Sequence, residues 1–178
     1  MADRNRAKQI ITEIIRIAGT VQTKTHLYKM FYFAHLWYAK REPDYLSDWP
    51  IVRMPRGPGI EGADSLLNEL IAEGTIEART VSIGPHSATE YRTLGDEIPD
   101  SLSPEAIDAI REAVVFAKEK TAAELSEITH EFSHSWQESQ DGSELNIYVD
   151  LLADDEYEAM KARMQQNISA LRAIGKLQ

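Results

Sequence analysis

Two imidazoles four residues apart, His130 and His134, bracket a carboxylate in the string His130-Glu131-Phe132-Ser133-His134. On one continuous helix, that spacing sets two zinc ligands one turn apart, with the glutamate able to activate a metal-bound water. Asp154, Asp155 and Glu156, about twenty residues on, could offer a third ligand. Helical geometry weighs against this chemistry. At about 100° per residue, Leu125, Ile128, Phe132 and Trp136 gather on one face, and the two histidines point about 140–180° away from Leu125. Histidines turned away from the apolar stripe face no cleft, so two ordinary histidines are the preferred interpretation and a zinc hydrolase is kept as an alternative.

A second string, Gly57-Pro58-Gly59-Ile60-Glu61-Gly62, spells G-x-G-x-x-G after a short extended run and before a helix. A dinucleotide site needs backbone N–H groups there, yet Pro58 has none and Glu61 would oppose a pyrophosphate with like charge. The glycines are therefore assigned to a tight turn. The chain contains no cysteine and no G-x-S-x-G, which removes a thiol nucleophile, a disulfide scaffold and a nucleophile elbow. The plentiful carboxylates read as solvated helix faces. No catalytic residue, metal ligand or cofactor is assigned.

Charge narrows the partners. The net charge of -10 divides into about +6 over residues 1–41 and about -16 over residues 42–178. Such an acidic bulk repels a phosphate backbone. Only the first helix, with Arg4, Arg6, Lys8 and Arg16, is left as an anion-attracting surface. No stretch approaches the roughly 18 apolar residues of a membrane span, the N-terminus lacks an export signal, and the absence of cysteine makes the cytoplasm the default compartment.

The elements that would position these residues follow from periodicity and caps. Ile10, Ile11, Ile14, Ile15 and Ala18 define an amphipathic helix over 4–18 between Asp3 and Gly19. A helix from Thr23 or Thr25 to before Pro43 is apolar over most of its circumference and is expected at the centre of the fold. Pro43, Pro50, Pro55 and Pro58 surround a short strand at Ile51–Met54. A third helix closing at Gly74 leads to two strands, Thr75–Ile83 and Ala88–Leu94, around Gly84-Pro85-His86-Ser87, the outline of a winged helix. Ser103-Pro104 opens a fourth helix. Thr121-x-x-Glu124 is a capping box for a fifth, which carries Leu125, Ile128 and Phe132. A last helix over 154–173 repeats Tyr157, Met160, Met164, Ile168 and Leu171. The fold class is mainly α: one helical domain over 1–178 with a small antiparallel β-hairpin, the last helix packed on it. The helix ahead of the wing, residues 59–74, has four acids and no Lys or Arg, so a DNA-binding regulator is the weaker alternative.

Two segments rise above this background. Thr25-His26-Leu27-Tyr28-Lys29-Met30-Phe31-Tyr32-Phe33-Ala34-His35 followed by Leu36-Trp37-Tyr38 resembles the signature helix of the Panacea, or SocA-like, antitoxin family, with Lys29, Tyr32, Phe33, Ala34 and His35 matching in position. Arg56-Gly57-Pro58 is similar to the family's aromatic-Gly-Pro turn, Arg56 standing where an aromatic is frequent. Leu125-Ser126-x-x-Thr129-His130 with Trp136 is similar to its Leu-Ser-x-x-Thr-His and Trp motif. Order and spacing agree over about residues 8–140. His130 belongs to that motif and His134 has no counterpart in it.

The resemblance implies a noncatalytic antitoxin of a bacterial or prophage toxin–antitoxin system, neutralising a cognate protein toxin by direct contact; hydropathy gives no membrane partner, and the acidic charge disfavours nucleic acid. The signature residues Lys29, Tyr32, His35, Arg56, Gly57, Pro58, Thr129, His130 and Trp136 are then the candidates for partner binding or for bracing the fold. At spacings of three and four, Lys29, Tyr32 and His35 can share one helix face, either as a polar network under the Pro-rich loop or as a contact surface. Thr129, His130 and Trp136 are expected to brace the fold, each with a polar tip inside apolar packing.

Overall fold

The computed structural model describes residues 2–95 and 102–173. Helix α1 (Arg4–Ala18) begins where the Asp3 side chain accepts the Arg6 N–H and stops at Gly19, whose φ of 75° suits glycine. It buries Ala7, Ile10, Ile11, Ile14 and Ile15. Helix α2 (Lys24–Ala39), capped by the Thr23 hydroxyl, is buried without interruption from Lys29 to Leu36. A helix apolar all round must lie inside. Helix α4 (Pro104–Lys118) packs along it, with the Phe116 ring edge-on to Phe33 at 4.9 Å and to Trp37 at 5.4 Å.

Strand β1 (Val21–Gln22) lies between α1 and α2 in the chain, and it pairs antiparallel with β5 (His86–Thr93) through Val21 and Tyr91. Strand β5 in turn pairs with β4 (Ile76–Ile83), which follows α3 (Ala63–Ala72), giving the sheet order β1-β5-β4. Helix, strand, helix, helix and a two-stranded wing bound to that first strand make the winged-helix outline concrete, in a fold that is mainly α.

A second hairpin is inserted between α2 and α3. The expected strand β2 (Ile51–Met54) turns at Pro55-Arg56 and returns as β3 (Gly57–Ile60), which is buried along its length. Here the structure departs from the sequence expectation, because Gly57-Pro58-Gly59 forms a strand rather than a turn. A hairpin with only two strands tolerates the missing N–H of Pro58, and packing on α2 leaves little room for side chains. Only Gly62, with φ 58°, serves as the turn into α3.

The second departure lies at Ser133. Helix α5 (Ala122–Phe132), with its capping box intact, ends there, and α6 (His134–Glu138) begins there. Ser133 has φ -88° and ψ 100°, and its hydroxyl accepts the Trp136 N–H at 3.1 Å, so the helix of the sequence analysis is two helices around a break. Phe132, expected on the buried stripe, is 43% exposed as a consequence. A short 3-10 helix, Ile147–Leu151, then leads to α7 (Asp154–Ala173). Among the described residues of α7 only Tyr157 is buried, so the helix expected to pack through its whole stripe is anchored by its first turns alone.

Candidate functional site

The side chains of Lys29, Tyr32 and His35 leave α2 in three directions, and each ties it to a different neighbour. Lys29, 1% exposed, donates from Nζ to the carbonyls of Arg56 at 2.6 Å and Pro58 at 3.2 Å. No carboxylate lies within ion-pair distance of it among the described residues, and burial pushes its ammonium down to about 7. The hairpin can approach this closely only because Gly57 lacks a side chain. With φ at 99°, a Cβ there would fall inside van der Waals contact of Lys29 Nζ and Thr129 Oγ1. Thr129 is fully buried, its hydroxyl donating to the carbonyls of Leu125 and Ser126, each at 3.0 Å.

Tyr32 points to the 3-10 helix, where its phenol donates to Asp150 Oδ2 at 2.6 Å. Asp150, 1% exposed, also accepts the hydroxyls of Ser133 and Ser135 at 2.8 Å and the Ser135 N–H at 2.8 Å. Four donors replace water around this buried carboxyl group. Burial and the neighbouring Asp150 charge hold the phenol of Tyr32 far above its ordinary range. Ser133 thus caps α6, ends α5 and binds Asp150 at once, fixing the break between the helices. Asp150, Ser133 and Ser135 were not marked by sequence reasoning. The available signal was an acid inside the apolar run from Leu145 to Leu152.

His35, also 1% exposed, donates from Nδ1 to the Phe31 carbonyl at 2.8 Å and accepts the Ser47 hydroxyl at Nε2 at 2.8 Å. That tautomer satisfies both nitrogens of a neutral ring. Burial lowers its pKa to about 4, helped by the charge of Arg6 and opposed by the Phe31 carbonyl. The three signature residues of α2 are therefore interior, each 1% exposed or less.

Trp136 completes the framework from the other side. Its indole N–H donates to the Met54 carbonyl at 2.8 Å, and the ring of His130 stacks on it at 4.0 Å and 10°. The Arg53 guanidinium sits 4.3 Å from the Trp136 ring and donates from Nε to the Trp136 carbonyl at 2.9 Å. Burial, then the charges of Lys29 and Arg53, lower the pKa of His130, whose Nε2 is buried with no hydrogen-bond partner among the described residues. His134, beyond the break, stacks instead on Tyr157 at 4.1 Å and 6°, with Nε2 3.3 Å from Asp154 Oδ1. The two histidines of the zinc-like string belong to different helices and different aromatic partners. Among the described residues no three His, Asp or Glu side chains converge as metal ligands.

Exposed atoms are left at the hairpin tip. Pro55 and Arg56 are exposed, and beside them a pocket of about 230 Å³ is lined by Thr25, Tyr28, Lys29, Met54 and Pro58.

The basic face of α1 is not available to an anion in the way the charge count suggested. Arg4 pairs with Glu69, Lys8 with Glu73 at 2.5 Å, and Lys24 of α2 with Asp64, so the acids of α3 are matched by cations of its neighbours. Arg16 pairs at 2.6 Å with the buried Glu13, and Arg6 donates to the Leu46 carbonyl at 3.0 Å. No helix among the described residues is long and apolar enough to cross a membrane.

No curated protein and no solved structure matches the chain. The sequence profile of the family described as Antitoxin SocA-like, Panacea domain matches residues 27–137, more than half of the chain. That span holds every signature residue of the framework, from Lys29 on α2 through Gly57 of the hairpin to Trp136 on α6, and the chain belongs to this antitoxin-like family.

Proposed function

We propose that this protein is a noncatalytic antitoxin that neutralises a cognate toxin by direct protein–protein binding, as one half of a bacterial or prophage toxin–antitoxin pair acting in the cytoplasm. The observation that carries the proposal is the family match over residues 27–137. The geometry supports it in a specific way. The signature side chains are consumed in locking α2, the β2–β3 hairpin, α5, α6 and the 3-10 helix into one framework, which is the role of scaffold residues rather than of reacting groups. Neutralisation then falls to the surface this framework holds in place, above all the hairpin tip at Pro55-Arg56 and its neighbouring pocket. Helix α3 and its C-cap carry Asp64, Glu69 and Glu73 in ion pairs with Lys24, Arg4 and Lys8, an arrangement that disfavours a phosphate backbone and supports a protein partner.

The test is co-expression with the product of the adjacent gene. Growth rescue and co-purification at fixed stoichiometry are expected. Failure to bind or rescue against either neighbouring gene product would overturn the proposal.

A further inference from the structure

The loop between α2 and β2 and the segment after α6 meet around a pocket of about 180 Å³. Its floor holds His35 and Ser47, which bond each other at 2.8 Å. Its walls are aromatic. Tyr45 and Trp49 come from the loop and Tyr148 from the 3-10 helix, and the rings of Tyr45 and Tyr148 meet at 4.7 Å and 49°. Hydrogen bonds fix these walls. The Trp49 indole donates to the Glu61 carbonyl at 2.9 Å. The Leu145 N–H donates to the Ile51 carbonyl at 2.7 Å and Glu144 bridges Val52, so residues 143–145 add an antiparallel edge to β2.

Carboxylates without counterions surround this opening. Asp48 and Glu144 line the pocket, and the charge of Asp44 helps, after burial and Tyr45, to hold the Tyr148 phenol above its ordinary range. All three acids are exposed, and none forms an ion pair among the described residues. Asp48 accepts only the Asp3 N–H at 2.8 Å, and Asp44 only the Tyr45 N–H at 2.7 Å. By contrast Asp64, Glu69, Glu73, Glu112 and Asp141 each have a basic partner. The arginines of α1 near the pocket are engaged, Arg4 by Glu69 and Arg6 by the Leu46 carbonyl.

Aromatic faces rimmed by carboxylates attract a cation, and a guanidinium suits them best because it stacks flat while its N–H groups reach the acids. The volume admits one side chain and lies below the about 300–1,000 Å³ of small-molecule sites. We infer that this pocket receives an arginine side chain of a protein partner, stacked on Tyr45, Trp49 and Tyr148 with its charge met by Asp48 and Glu144. The inference rests on the antitoxin reading for the partner being a protein, and charge complementarity selects the basic residue. Glu144 and Tyr148 lie beyond residue 137, where the family match ends, so one wall of the pocket stands outside the matched segment.

The probe is an acetylated, amidated Gly-Arg-Gly peptide titrated into the isotope-labelled full chain and followed by proton–nitrogen correlation spectra. Saturable shifts are expected at the Trp49 indole N–H and at the amides of Glu144 and Tyr148. The peptide with citrulline in place of arginine, of the same shape without the charge, is expected to give none. Tyr45→Ala and Glu144→Lys, both at exposed positions, should each weaken binding by about fivefold or more. Glu119→Lys, the same charge change at the C-terminus of α4, should weaken it by less than about twofold. Shifts that do not saturate, equal shifts with citrulline, or an equal loss with Glu119→Lys overturns the inference. In a pull-down with the adjacent gene product, the Tyr45→Ala, Glu144→Lys double variant should bind about tenfold or more weakly. Undiminished binding by that variant overturns the pocket assignment alone. A wild-type chain that binds neither neighbouring gene product overturns the antitoxin reading instead, whatever the peptide does.

Discussion

Replacing Gly57 by Ala tests the framework at its tightest point. Two effects add. First, φ is 99° at Gly57, and forcing an L-residue into positive φ costs about 1–2 kcal/mol. Second, the new Cβ meets Lys29 Nζ and Thr129 Oγ1. Lys29 can withdraw only by giving up its bonds to the Arg56 and Pro58 carbonyls, and hydrogen bonds to a charged donor are worth about 1.5–3 kcal/mol each. Losing one of them brings the total to about 2.5–5 kcal/mol, a large part of the 5–15 kcal/mol available to a domain. Gly74 is the control, since its φ is 71° and a Cβ there has nothing within 4 Å. Gly74→Ala should therefore show the conformational effect alone. Urea titrations followed by tryptophan fluorescence measure both, and the difference between the two variants should be about 1.5–3 kcal/mol, the value of the lost hydrogen bond. In a Lys29→Met background, where the ammonium is absent, that difference should shrink by the coupling between the two sites. Equal losses for the two glycines, or a Gly57→Ala loss unchanged by Lys29→Met, would show that the close approach of hairpin and lysine is not what the glycine serves.

Further outcomes are expected. His35 is neutral in the fold, with its pKa lowered to about 4 from 6.5, so the unfolded chain binds a proton between those values that the folded chain refuses. Stability should be full above about pH 6.5, fall by on the order of 3 kcal/mol as the pH drops to about 4, and do so less steeply in His35→Gln, as acid unfolding curves can show. Because α5 and α6 part at Ser133, the protein dialysed against zinc should retain no stoichiometric metal. His134→Ala should lose about 1 kcal/mol through the Tyr157 stack, more than an exposed histidine would, while one equivalent of zinc released by that substitution would restore the hydrolase alternative. Fluorescence anisotropy with its own promoter should show no sequence-specific binding at physiological salt, and a footprint sensitive to changes in residues 59–74 would show that the acid-rich helix had been misjudged.

Much of the fold is legible in the sequence because its signals are local. The Asp3, Thr23, Ser103 and Thr121 caps each act within three residues and mark the starts of α1, α2, α4 and α5, while the bounds of α7 follow from apolar spacing. The wing is legible for the same reason, as is the acidity of α3. The family signature was readable as well, since five residues of α2 keep its order and spacing. What those residues do was not readable. Periodicity places Lys29, Tyr32 and His35 on a helix, but whether they face solvent or interior depends on the hairpin, on Asp150 and on Ser47, which reach them from distant parts of the chain. The break at Ser133 has the same origin. The run 122–138 is compatible with one helix by propensity, and it is the Asp150 carboxylate, 17 residues on, that draws the Ser133 hydroxyl out of register and sends His130 and His134 to separate aromatic rings. The cations of α1 were likewise counted correctly from sequence, yet only the packing of α3 beside α1 decided that they are matched by its acids. Local caps and apolar period act through neighbours in the chain and can be read there, whereas burial of a charge is set by whatever the fold brings around it.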